Sequence, residues 1–179
     1  MWRYWMGMWL LVGIIGSTNA APPAEVDWLD LMPLEDQQAL EAMPEIDHFG
    51  REDQGFSEQS SLLQAEGLPE VMYSTRTVPQ MDGKTIRLGG YPVPLETNSK
   101  GDYVEFFLVP YPGACIHVPP PPPNQIVLVQ YPKGIRLDDI YTPLWVDGPL
   151  QVLLNQNDLA SSAYQINAQS VTLVDEDDF

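Results

Sequence analysis

Cysteine is nearly absent from this chain. Cys115 is the single one in 179 residues, so no disulfide can form within the chain and a disulfide-stapled scaffold is excluded. Basic residues are scarce too: eight Lys and Arg stand against twenty-five Asp and Glu, a formal net charge of −17. Nucleic acid and anionic lipid surfaces are held by clustered Lys and Arg, so this composition argues against both as partners. An acidic surface serves solubility and suits a cation or a basic partner. Histidine occurs only at His48 and His117. Also missing are a serine in a glycine elbow, a His-Glu-x-x-His helix, a phosphate loop and paired haem cysteines, which removes the commonest hydrolase, metalloprotease and nucleotide-binding readings. No apolar run reaches the ~20 residues a membrane-spanning helix needs.

The longest apolar run, Met6 to Ile15, instead reads as the h-region of a secretory signal. Arg3 supplies the positive n-region, and Gly16-Ser-Thr-Asn-Ala20 the small residues of a cleavage site. Cleavage after Ala20 is expected, giving a soluble periplasmic protein that starts at Ala21 and has no stable membrane insertion. The competing reading is an uncleaved inner-membrane anchor, since Trp2, Trp5 and Trp9 suit a membrane interface.

Four segments are expected: a signal over 1–20, an acidic arm over 21–70, a β domain over 71–174 and an acidic tail over 175–179. In the arm, Pro33 to Met43 predicts a short helix, with Pro33 in its first turn, Glu35 and Asp36 complementing the dipole and Pro44 ending it. Its apolar face is narrow, so Trp28, Leu29 and Leu31 are the expected anchors onto the domain. Ser57 to Glu66 suggests another helical turn. In the domain, Thr85 to Leu95 alternates and then bends at Gly89-Gly90. Thr97 to Asp102 turns into a strand over Tyr103 to Val109, and Ile126 to Val129 has core-strand character. Thr142 to Leu154 reads as two strands broken at Asp147-Gly148, or one bulged strand. Tyr164 to Val174 reads as a single strand, with Tyr164, Ile166 and Ala168 inward and Gln165, Asn167 and Gln169 outward. A helical turn over Asn157 to Ala163 joins the last two. The expected fold is mainly β, a small, OB-like, partly open barrel with an irregular, partly helical N-terminal arm; a β-sandwich is the alternative.

The stretch from Val104 to Val129 concentrates the unusual chemistry. Tyr111-Pro-Gly-Ala-Cys-Ile-His-Val118 is followed by five prolines, Pro119 to Pro123, and then Asn124-Gln-Ile-Val127. Five prolines fix φ near about −65° and donate no backbone hydrogen bond, so a stiff polyproline II rod is expected. Together with Gly90-Tyr-Pro-Val-Pro-Leu-Glu96, this signature resembles a family of exported bacterial proteins catalogued as a domain of unknown function, over roughly Tyr73 to Val174. Members are often encoded beside MacB-like ABC transporter components and are implicated in zinc handling. The resemblance implies an envelope compartment, and an ABC transporter permease or a periplasmic metal-binding protein as partner.

Cys115 and His117, two residues apart, share a face if the segment is extended, and their sulfur and nitrogen suit Zn²⁺ or copper. Asp138, Asp139 and His48 are the available further ligands. Zinc or copper is the cofactor this pair suits, zinc being the one the family resemblance favours, although a buried thiol hydrogen-bonded beside its histidine explains the pair as well. A Cys115/His117 nucleophilic or redox pair is a further reading. The rod at Pro119, Pro120, Pro121, Pro122 and Pro123, with Tyr111, Tyr131 and Trp145 near it in sequence, offers a partner-binding surface, or packs on the domain's own aromatics. The combined expectation is an exported, non-enzymatic accessory protein of an envelope ABC transporter system that handles metal. A thiol-dependent enzyme and a structural interaction module are the alternatives.

Overall fold

The computed structural model describes residues 22–43, 68–114 and 120–174. The expected signal, the Ser57–Glu66 turn and the acidic tail lie outside these. Seven strands and one α-helix, with short 3₁₀ turns between them, make up the regular structure among the described residues, in the order β1 (Ala24–Val26), α1 (Leu34–Glu41), β2 (Thr85–Thr97), β3 (Tyr103–Val109), β4 (Val127–Ile135), β5 (Leu144–Gln156), β6 (Ser161–Asn167) and β7 (Ser170–Leu173).

Strand β2 is thirteen residues long and changes partners midway. Thr85 to Gly90 pairs antiparallel with β5, and Tyr91 to Thr97 pairs antiparallel with β3. Strand β3 then pairs with β4, β4 runs parallel to β6, and β6 pairs with the second half of β5. The ring β2-β3-β4-β6-β5 therefore closes on itself: a three-stranded meander, a strand returning to the first, and a last strand laid parallel to the third. This is a Greek-key barrel of the OB type, as the strand pattern predicts. Two short strands extend it, β1 parallel to β2 and β7 antiparallel to β5. At three and four residues they leave little unpaired edge.

The barrel interior holds Ile86, Leu88, Phe106, Leu108, Val127, Val129, Leu144, Val146, Leu150, Tyr164 and Ile166. Strand β3 has no polar face at its end, because Phe107 and Val109 point the other way into a second cluster with Val93, Ala114, Ile126, Leu128 and Ala160. Burial on both faces explains the continuous apolar run Phe106 to Val109.

Several expectations need correction. Asn157 to Ala160 is not helical: Asn157 Oδ1 accepts from Leu159 N (2.9 Å) and Ala160 N (2.8 Å), and this side-chain turn joins β5 to β6. Of the two readings of Thr142 to Leu154, the single bulged strand is the one observed: residues 144–156 form one strand with a register shift between Val152 and Asn155, with no break at Asp147-Gly148. The last expected strand is two, β6 and β7, since Ala168 N donates to Gln130 O and Gln169 N to Asp147 O, turning the chain there. Gln165, expected outward, is buried. Of the three expected anchors, Leu31 is buried and Trp28 packs against the core, but Leu29 is exposed, and Met32 is buried in addition.

Candidate functional site

The sequence-derived site residues lie partly outside the described residues. Cys115, His117, Pro119 and His48 lie outside the described residues. Pro120 is half-buried, and Pro121, Pro122 and Pro123 are buried, Pro122 in extended geometry and Pro123 opening a 3₁₀ turn to Gln125. Tyr111 packs on the second cluster, where burial pushes its hydroxyl up to about 12, whereas Tyr131 packs on the barrel core. Asp138 and Asp139 are exposed. Asp139 Oδ1 accepts from Tyr141 N, Thr142 N and Thr142 Oγ1, and these bonds hold its carboxyl below the usual range. Among the described residues, no group of three or more His, Cys, Asp and Glu is placed to hold a metal.

A different constellation forms where β2 changes partners. Gly89 pairs directly with Trp145 of β5, and Gly90 with Leu144. A Cβ on Gly89 would lie 2.8 Å from the Trp145 ring, so the missing side chain lets the indole lie across the strand. A Cβ on Gly90 would lie 2.8 Å from Val109 O, 2.9 Å from the Leu108 side chain and 3.0 Å from the Trp28 ring. The two glycines thus act as a bend and also as a floor onto which two tryptophans settle.

Both tryptophans are held firmly. Trp28 Nε1 donates to Gly89 O (2.7 Å), and the Trp28 carbonyl accepts from Gln125 Nε2 (2.8 Å). Trp28 also opens a 3₁₀ turn fixed by a capping box, in which Asp27 Oδ1 accepts from Leu29 N and Asp30 Oδ2 from Asp27 N. Trp145 is set by the β2–β5 ladder. The Arg87 guanidinium lies 5.8 Å from its ring centre and is clamped by two bonds to Asp147, at 2.8 and 3.0 Å.

Between these walls is a hollow of about 260 Å³ over Gly89 and Gly90, rimmed by Tyr91, Pro110, Pro143 and Val174. It adjoins a second hollow of about 400 Å³ that shares Trp28, Gly89 and Trp145 and is edged by Glu25, Asp27 and Asp30. An apolar cleft with rigid aromatic walls and a few polar groups at one end has the usual make-up of a small-ligand site. The sequence shows each piece: Trp28 as an anchor, Gly89-Gly90 as a bend, Trp145 as an aromatic assigned to the proline rod. Their convergence depends on the Gly89–Trp145 register, for which one sequence carries no signal.

Comparison with known proteins places this architecture. The crystal structure of a DUF3299 family protein from Pseudomonas aeruginosa PAO1 is similar at 35% identity and a TM-score of 0.64, over 87% of this chain and 98% of that one. None of the curated proteins matches the chain. A family model described as a protein of unknown function (DUF3299) matches residues 28–173, which take in both walls of the cleft and every barrel strand. The chain belongs to the DUF3299 family.

Proposed function

We propose that this protein is an exported, non-enzymatic accessory protein that works with an envelope ABC transporter and does so by binding, at the Trp28–Trp145 cleft. The preformed cleft is the observation that carries the binding half of this reading. Its walls are locked by hydrogen bonds and ladder pairing before any ligand arrives, so little ordering entropy is lost on binding. Export rests on the Arg3, Met6–Ile15 and Ala20 pattern, and the transporter on the resemblance of the 110–127 signature. Tagged protein recovered from solubilised envelopes is expected to start at Ala21 and to bring an ABC permease with it. Trp145→Ala is expected to lose the permease while keeping its yield. Recovery of the protein alone, or with Met1 intact, overturns the reading.

The metal-handling part rests on Cys115 and His117. One Zn²⁺ per chain, weakened alike by Cys115→Ser and His117→Ala, supports it; absence of uptake against a competing chelator removes it. A thiol-dependent activity predicts instead rapid alkylation of Cys115 near neutral pH that slows in His117→Ala.

A further inference from the structure

The chemistry of the cleft narrows what it takes. Resting on the binding reading above, we propose that the cleft is a receptor for a small organic cation: an ammonium or guanidinium head on a compact apolar body.

Three features of the two hollows converge on that class. The inner hollow, about 260 Å³, is walled by two indoles and floored by two glycines, and it accepts a ring or short branched chain. The adjoining hollow carries Glu25, Asp27 and Asp30 beside the same two indoles, and among the described residues neither hollow is lined by Lys or Arg. Arg87, the cation nearest Trp145, is held by Asp147. A cation here meets both carboxylates and the negative faces of aromatic rings, which attract it in the same sense.

The alternatives fit less well. A bare divalent ion needs six or more oxygens, yet Asp27 and Asp30 each commit one oxygen to the capping box. The hollow beside them is also lined almost wholly by carbon. An anion is repelled by three carboxylates. A neutral apolar ligand makes no use of the charge at the acidic edge.

The secreted form supplies its own reporter. Of the five tryptophans, Trp2, Trp5 and Trp9 precede Ala21, so Trp28 and Trp145 alone remain after cleavage. Protein purified from the envelope can therefore be titrated with phenethylammonium, 2-phenylethanol and 3-phenylpropionate, three probes of like size and different charge, read by tryptophan fluorescence and by calorimetry. Phenethylammonium is expected to bind about five- to tenfold tighter than the alcohol, with the carboxylate weakest. Raising salt from about 0.05 to 0.5 M is expected to shrink that preference, since the carboxylates are solvent-facing. Combined Glu25→Gln, Asp27→Asn and Asp30→Asn preserves the cap, because asparagine caps as well as aspartate. This variant is expected to keep alcohol-level affinity and lose the preference for the cation. Trp145→Ala is expected to lose all three probes. Equal affinity for the three, a preference that survives the triple substitution, or no binding by any of them overturns the proposal. In the last case, retained co-purification with the permease leaves the accessory reading standing.

Discussion

Asp36 is wholly buried although it sits in the first turn of an otherwise exposed helix, and the cause is a set of donors that arrive from elsewhere in the chain. Ser74 Oγ donates at 2.5 Å, Asn124 Nδ2 at 2.9 Å, and the Arg76 guanidinium completes the set. Asp36 in turn raises the already high pKa of Arg76, first through that hydrogen bond. A buried carboxylate is tolerable only with such partners, and removing it strands them. Asp36→Ala is expected to cost about 3 kcal/mol, since the Ser74 hydroxyl hydrogen and one Asn124 amide hydrogen would be left buried without an acceptor and Arg76 would lose its buried carboxylate. Urea unfolding measures this. Glu35→Ala, which removes the neighbouring exposed carboxylate 3.7 Å from Arg76, is expected to leave the midpoint unchanged.

At the scale of elements, β2 carries the design, and it turns on Gly90. A methyl there meets the Val109 carbonyl at 2.8 Å and Leu108 at 2.9 Å, and a backbone oxygen within a ladder has nowhere to go. Gly90→Ala is expected to cost about 2 kcal/mol, in the range of overpacked cores, and thermal melting checks it. This strand also shows what the sequence makes legible. The alternation Ile86, Leu88 and the paired glycines mark a bent strand directly, and Pro33 with Glu35 and Asp36 marks α1. Nothing local marks which strand each half of β2 joins. Nor does anything mark Asp36 as the buried face of α1, because its donors lie 38 to 88 positions away. The division of β6 from β7 leaves only a slight trace: the apolar positions run Tyr164, Ile166, Ala168 and then change phase across Gln169-Ser170 to Val171 and Leu173, where backbone bonds from Ala168 and Gln169 to distant strands turn the chain. The Cys115–His117 spacing stands out most clearly in the sequence, yet the cleft that the fold assembles is built from other residues.

On the scale of the molecule, the N-terminal arm is a working part of the barrel. Leu31 enters the core, and the hydroxyl of the buried Tyr164 donates to Leu31 O (2.8 Å) while accepting from Val78 N (2.7 Å). Tyr164→Phe is expected to destabilise by about 1–3 kcal/mol through the two lost partners, and to make the arm the first site of proteolytic cutting. The bond from Tyr164 to Leu31 spans 133 positions, and that from Gln125 to Trp28 spans 97. The residues made first are therefore fastened last. While the barrel strands wait to meet, Trp28, Leu31 and Met32 are without their packing surface, a sticky segment that must be shielded or move faster than it aggregates. Contacts of such long range slow the final step of folding. Assembly of the cleft, which needs Trp28 seated on Gly90, is thus a late signal of complete folding, and only a fully closed barrel can bind.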